Sequence, residues 1–385
     1  MKVVVAHNRY ASGQPSGENT VVDAEIAQLR AAGVTVLPFL RSSDEIGALP
    51  PAQKALLPLS PIYNGPAQRA LSGLLEGERP DLLHLHNPYP LLSPWVVRTA
   101  HRHRTPVIQT VHNYRQVCAP GVYFRDGHVC HDCRGRRFAL PAVRHACYRG
   151  SRPQSAVMAT TLAVHRGTWH SVDRYLALTD AIAAHLRDYG VPAERITVQP
   201  NAVPDPGEPP CTPGDGFLYA ARLVPEKGLG LLLDAWREHG DGELGPLRIA
   251  GDGPLRPLAE DAARARADVT YLGPLDAAAV QAEIRRAACV VIASTWHDVL
   301  PTIVLEALAN GRPVLGTAMG GIPSSVGDCG WVVEPEPGAF AAGLKLARTG
   351  AAALSGPARR RYLERFTPAV LTHRLVDVYM EVAHR

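Results

Sequence analysis

Short runs of Val, Ile and Leu alternate with longer helical patterns along this chain. They do so twice, on either side of a segment dense in Pro and Gly. In the first half the runs fall at 3–6, 34–39, 82–85, 107–111, 174–178 and 195–198. In the second they fall at 217–221, 247–250, 269–272, 289–293, 313–316 and 330–333. Short, continuously apolar runs suit strands covered on both faces, as in a parallel sheet flanked by helices. Helical patterns lie between them, at 21–32 and then at 228–238, 255–266, 276–288, 301–310 and 339–349, and an amphipathic segment over 368–385 closes the chain. The separating segment, PNAVPDPGEPPCTPGDG at 200–216, can continue neither a helix nor a central strand and reads as a linker. The pattern predicts an α/β chain of two doubly wound, Rossmann-like domains, 1–203 and 204–366, with a terminal helix over 367–385 packing back on the first. Ligands of such sheets bind beyond the C-terminal ends of the strands, which makes the cleft between the domains the default active site.

The totals agree with this reading and exclude others. At 385 residues, two domains are the natural expectation, and 46% hydrophobic with 20% charged residues describes a globular protein with ample core. There is no run of about 18 or more apolar residues, so no membrane span is expected. The opening MKVVVAHNRY has too short an apolar run for a signal peptide, which points to the cytoplasm. There the seven cysteines read as thiols or metal ligands rather than disulfides. The net charge of +4 is modest and spread out, so no nucleic-acid partner is expected.

The stretch STWHDVLPTIVLEALANG at 294–311 places one acid, Asp298, on a loop after a strand, and a second, Glu306, inside an apolar helix. Free backbone N–H groups of Thr302, Ile303 and Val304 at the helix start favour an anion such as a diphosphate. Glu306, about one turn deeper, can accept hydrogen bonds from a vicinal diol such as a ribose, and Asp298 can do the same for a second sugar. An ordinary helix-terminal acid with a buried Glu is the competing reading. In ARLVPEKG, Arg222 and Lys227 occupy a strand-to-helix loop ending in Gly228. Such a pair can neutralise a diphosphate as charge develops on it, and a solvated basic loop is the alternative.

RLVPEKG, GDGPL, the Asp298 and Glu306 pair, EALANGRPVL and GGIP, in this order, resemble the nucleotide-sugar half of glycosyltransferase family 4. PNAVPDP and the N-terminal half fit as well, so the resemblance covers nearly the whole chain. It implies the GT-B fold, with the two domains facing a central cleft, and a retaining transferase. It implies that Arg222 and Lys227 bind the donor diphosphate, that backbone near Thr302 and Ile303 contacts the phosphates, and that Glu306 binds the ribose. Asp298 stands at the first acid of the family's Glu-x7-Glu motif, which contacts the transferred sugar. Here it is one methylene shorter than the usual Glu, and DVLP replaces the commoner EPFG.

In the N-terminal half, Ser16, Gly17 and Glu18 occupy the place of the family's glycine-rich loop. Gly17 permits backbone amides to approach a phosphate or the acceptor, and Glu18 or Asn19 is placed to touch the acceptor. In PVIQTVHNYRQVC, His112 ends a strand and matches the family's active-site histidine. His7, His84 and His86 also end strands and read as structural. No carboxylate here announces itself as a general base. Without an Asp-x-Asp motif for Mg²⁺, the reaction is expected to need no metal or other cofactor for catalysis. Position and charge stabilisation then carry the chemistry.

Cys118, Cys130, Cys133 and Cys147 crowd one region as Cys-x11-Cys-x2-Cys-x13-Cys. This spacing suits a closed, structural tetrahedral zinc site, and buried or incidental thiols are the other reading. Arg134, Arg136, Arg137, Arg144, Arg149 and Arg152 follow in the same region. They read as a solvated face, as a site for an anionic or phosphorylated acceptor, or as a peripheral contact with an anionic membrane.

The whole describes a retaining, metal-independent transferase. It moves a hexosyl or deoxyhexosyl group from a nucleoside diphosphate sugar (UDP, dTDP and GDP all remaining open) to a hydroxyl of a small acceptor, as in antibiotic biosynthesis of the aminoglycoside type. A transferase for cell-surface polysaccharide or lipid-linked glycan is the alternative. A non-catalytic nucleotide-sugar sensor is the alternative of another class, and it could dispense with His112.

Overall fold

The computed structural model describes residues 1–13, 17–209 and 213–384. The chain divides into two compact units. The first comprises Met1–Tyr123, His131–Pro200 and Leu371–Arg385, and the second Phe124–Cys130 and Asn201–Val370. In chain order the strands are β1 (Lys2–Arg9), β2 (Thr35–Ser42), β3 (Leu82–Leu85), β4 (Val107–Val111), β5 (Phe124–Arg125), β6 (His128–Val129), β7 (Arg174–Ala177) and β8 (Ile196–Val198). They continue with β9 (Phe217–Ala220), β10 (Leu247–Ala250), β11 (Val269–Gly273), β12 (Cys289–Ile292), β13 (Val314–Thr317) and β14 (Gly330–Val333).

In the first unit the sheet runs β2-β1-β3-β4-β7-β8, all parallel. Its inner strands are buried on both faces, which is why they read as unbroken apolar runs. The helix Gly17–Ala31 buries Val22, Ile26 and Leu29 against Val3 and Val5 of β1. The final helix, Pro368–Ala383, closes the same core with Leu375, Val378, Tyr379 and Val382. The strand order reverses between β1 and β3, so a crevice opens there at the C-terminal ends of the strands.

The second unit repeats the architecture in the order β11-β10-β9-β12-β13-β14, again all parallel. Here the reversal falls between β9 and β12. Leu229, Leu232, Leu233 and Trp236 of the helix Leu229–Arg237 fill the core over the sheet.

Several elements depart from the sequence expectation, and three of them are instructive. The pattern at 339–349 is only part of a helix that runs Pro337–Arg365, through Pro357. Ala351, Ala358 and Tyr362 keep its face buried past that residue, and packing outweighs the single backbone donor that proline lacks. The helix expected from 301 starts at Thr302, with Pro301 extended at the cap. The hairpin β5–β6 was not anticipated, although Asp126 and Gly127 both take positive φ (51 and 81), the conformation a two-residue Asp-Gly turn favours.

Candidate active site

In the second unit, the loops after β9 and β12 meet at the reversal point. Lys227 Nζ donates to Asp298 Oδ2 over 2.5 Å, and Ser294 Oγ donates to the same oxygen over 3.1 Å. Both ends of the ion pair are largely buried, with side-chain exposures of 18% for Lys227 and 7% for Asp298. The ammonium also lies 5.6 Å from the centre of the Trp296 ring. Two glycines make this contact possible. Gly228 has φ +73, and a Cβ there would stand 1.7 Å from the Ala293 carbonyl oxygen. Gly320 of the GGIP motif has φ +56 and would place a Cβ 2.2 Å from the Asp298 carbonyl oxygen. Backbone bonds lock the same loops: Thr295 N–H to Glu226 O (3.0 Å) and Gly321 N–H to Asp298 O (2.7 Å). The GDGPL turn is tied in through Leu223, whose N–H reaches Asp252 O and whose carbonyl accepts from Leu255.

Thr302, Ile303 and Glu306 form the partly exposed face of the helix Thr302–Ala309, while Val304, Leu305, Ala307 and Leu308 are buried. Glu306 Oε2 accepts from Gln281 Nε2 at 3.2 Å, and Gln281 Oε1 accepts from Asn310. Burial pushes the Glu306 carboxyl up, against a hydrogen bond from Thr302 that pulls it down. Arg222 is exposed at the mouth of the loop. The structure thus joins Lys227 to Asp298 directly, while Arg222 stands free of that pair.

In the first unit the reversal point carries imidazoles. Glu25 Oε1 lies 3.1 Å from His84 Nδ1 and 3.1 Å from His86 Nε2. His86 Nδ1 lies 3.0 Å from His112 Nε2. His84 is held further by Tyr379 (2.7 Å) and Thr110 (2.7 Å). Burial alone would raise the Glu25 carboxyl, but His84 and His86 outweigh it and hold the group well below the usual carboxylate range. Glu25 is therefore an acceptor only. A neutral imidazole at His86 donates to it through Nε2 and accepts the Nε2–H of His112 on its Nδ1. Burial, aided by His86, keeps His112 neutral. Its Nδ1 is then an unprotonated acceptor. His112 lines a pocket of about 290 Å³ together with Glu18, Tyr89, Gln109, Arg115 and Gln116. The Tyr89 hydroxyl and Gln109 Oε1 are buried there without hydrogen-bond partners.

His7, read as structural, is fully buried, and burial lowers its pKa to about 4. Asn19 Oδ1 meets His7 Nε2 (3.0 Å) and the Tyr10 N–H (3.2 Å). Glu18 stays near the Tyr10 hydroxyl (3.4 Å) and on the pocket wall. Gly17 opens the helix Gly17–Ala31, with no atom within 4 Å of where a Cβ would stand, so close packing does not explain a glycine there. Ser16 lies outside the described residues. One residue that the sequence reading missed is central. Glu25 shares the helix face of Val22, Ile26 and Leu29, and an acid at a core position was a signal. Its partners His84 and His86, read as structural, stand two residues apart at the end of β3 and so face the same side.

None of the four cysteines is paired in a disulfide. Cys118 is buried, with its thiol pushed up by that burial, and Cys130, Cys133 and Cys147 are half-buried. Among the described residues, the one group of three or more donor side chains with ligand atoms within 4.8 Å of one another is Glu25, His84 and His86. The zinc reading of the four cysteines rests on their spacing. Among the described residues no helix is long and apolar enough to cross a membrane.

Comparison with known proteins follows the same division. Residues 16–202 match the family Glycosyl transferase 4-like domain, and residues 214–347 match Glycosyl transferases group 1. The "Putative colanic acid biosynthesis glycosyltransferase WcaL" of Escherichia coli K12 is 32% identical over 194 residues. That match takes in 46% of this chain and spans about half (47%) of the relative's length. Among solved structures, HepE of Anabaena in complex with UDP superposes with a TM-score of 0.66 at 16% identity, covering 99% of this chain and all of that one. Sucrose-phosphate synthase of Thermosynechococcus elongatus gives 0.69 at 18%, covering 99% and 98%. The lipopolysaccharide outer core galactosyltransferase WaaB gives 0.64 at 16%, covering 99% of each chain.

Proposed function

Since the chain belongs to the glycosyltransferase 4-like family and has the GT-B fold of two Rossmann-like domains, we propose that it transfers a hexosyl or deoxyhexosyl group from a nucleoside diphosphate sugar to an acceptor hydroxyl, with retention at the anomeric carbon. The observation that carries the reading is the Lys227–Asp298 pair at the strand reversal of the second unit, with the Thr302 helix start and Glu306 on the following helix. A diphosphate suits that helix start and Lys227 and Arg222, a ribose diol suits Glu306, and the hydroxyls of the transferred sugar suit Asp298. That HepE was solved with UDP and with UDP-glucose supports a UDP-sugar ahead of dTDP or GDP donors.

In the reaction the bond from the anomeric carbon to the diphosphate oxygen breaks and a bond to the acceptor oxygen forms. The acceptor proton passes to the departing phosphate. Lys227 and Arg222 stabilise the charge that develops on that phosphate. His112, neutral and with Nδ1 free to accept, orients a hydroxyl, and Gly17 leaves backbone amides open to ligand. No residue is required as a covalent nucleophile, and no metal or other cofactor is assigned a step. None of the six described cysteines is paired in a disulfide, which suits a reducing compartment such as the cytoplasm.

The acceptor we favour is a small hydroxyl compound bearing an anionic group, as in natural-product biosynthesis. A growing cell-surface polysaccharide is the second reading, supported by the likeness to WcaL. Incubating the protein with UDP-, dTDP- and GDP-sugars tests the proposal. Slow transfer to water or a simple alcohol should release one nucleoside diphosphate, with a product of unchanged anomeric configuration by proton NMR. Inversion, or no release from any donor, would refute it.

A further inference from the structure

Beside the His112 pocket the first unit holds a second and larger one, of about 520 Å³. The segment after β4 and the helices Arg152–Val164, Arg166–His170 and Asp180–Tyr189 enclose it. Arg134, Arg136, Arg137 and Arg166 line it against a single lining acid, Asp188, which pairs with Arg134. The excess of positive charge is therefore uncancelled within the pocket. Three buried polar atoms of its wall have no hydrogen-bond partner: Gln116 Oε1, His185 Nε2 and the Tyr189 hydroxyl. Each of these residues is more than nine-tenths buried, so the missing partners are a cost unless a ligand supplies them. Arg166 is already positioned, its guanidinium 5.4 Å from the centre of the Tyr189 ring. Gln116 lines both this pocket and the one that holds His112, so a molecule seated here extends toward His112.

We propose that this pocket binds the phosphate of a phosphorylated hydroxyl compound, the acceptor of the reaction, with Arg137 and Arg166 as its anion contacts and Gln116, His185 and Tyr189 as contacts for its hydroxyls. Guanidinium forks match phosphate oxygens in geometry and charge. The inference rests on the transferase reading for the ligand's role, though not for its binding. A phosphomonoester of a soluble sugar and the diphosphate of a lipid-linked one share this chemistry.

The test is isothermal titration of inorganic phosphate, glycerol 3-phosphate, a hexose 6-phosphate, farnesyl diphosphate and the uncharged hexose into the full-length protein. It is repeated with Arg137→Gln/Arg166→Gln and with Arg137→Gln alone, an exposed position whose change leaves the fold undisturbed. Nucleoside diphosphate binding is measured in parallel as a control for folding. We expect a phosphorylated probe to bind, the uncharged hexose not to, and the double variant to weaken phosphate binding by about tenfold or more while nucleotide binding persists. Binding of the sugar phosphate names a soluble source; binding of farnesyl diphosphate alone names a lipid-linked one. No binding of any phosphate, or binding unchanged in the double variant, overturns the proposal. Loss of nucleotide binding in the unaltered protein would instead count against the donor site.

Discussion

Glu25 Oε1 stands 3.1 Å from Nε2 of His86, and the other nitrogen of that ring meets His112 at 3.0 Å. A carboxylate on a helix thereby fixes the tautomer of a histidine two hydrogen bonds away. Glu25→Gln offers a donor as well as an acceptor and no longer dictates which nitrogen of His86 carries the proton. We expect stability to fall by about 1–3 kcal/mol. We expect kcat to fall about tenfold, equal to roughly 1.4 kcal/mol in the barrier, with KM little changed. Imidazole ¹⁵N shifts of His112 would report a single tautomer in the unaltered protein and a mixture in the variant. A single tautomer in both would remove the relay from the account.

Acid sensitivity follows from buried neutral histidines in the first unit. Burial lowers His7, His165 and His185 to about 4 from an ordinary value of 6.5. Below 6.5 the unfolded chain takes up protons that the folded chain refuses, so stability falls with falling pH. Each group's contribution is fully present above pH 6.5 and is lost as the pH falls through the folded value near 4. Glu25, held below its ordinary value of 4.5, adds a further loss below that pH. Denaturant unfolding between pH 8 and 4 should show a plateau above about 6.5 and a steady decline beneath it.

Gly228 and Gly273 have the same φ, +73, in different surroundings. A Cβ at Gly228 would stand 1.7 Å from a backbone oxygen, while at Gly273 nothing lies within 4 Å. Gly273→Ala should cost about 1 kcal/mol, the strain of a left-handed alanine. Gly228→Ala should cost more, roughly 3 kcal/mol or above, because two loops must part. It should also abolish nucleotide binding, since the displaced loop carries Lys227. Equal costs at the two sites, by denaturant titration, would show that the loops yield freely.

The Lys227–Asp298 pair is largely buried, so removing either partner strands the other. Lys227→Met or Asp298→Asn should each lower stability by about 3 kcal/mol, with the double variant recovering part of the loss. Activity should not recover with it, because the proposed mechanism gives both groups a part in holding the donor. A double-mutant cycle read in stability and in kcat/KM separates the two roles.

The strands were legible because their signals are local. An unbroken apolar run marks a doubly covered strand, and RLVPEKG and Asp298 follow strand ends, with Glu306 on the next helix, where a parallel sheet binds its ligands. Glu25 was not legible, because its meaning comes from His84 and His86, about sixty residues away in sequence. Pairing of β3 with β1 is what brings them together. The bonds of Asn19 within the fold were hidden for a related reason: its partners, His7 and Tyr10, become neighbours only when the helix folds back on β1. The helix through Pro357 outruns the pattern at 339–349, because packing of Ala358 and Tyr362 carries it past a local breaker.

We infer that the second unit holds a nucleoside diphosphate sugar with Glu306 on its ribose. Thermal unfolding with UDP, dTDP, GDP and their sugars, for the unaltered protein and for Glu306→Ala, tests it most directly, because a ligand of the folded state raises its melting temperature by mass action. The account predicts a clear rise with one nucleotide, UDP first among them, that is lost in Glu306→Ala. No rise with any nucleotide, or the same rise in the variant, would contradict it.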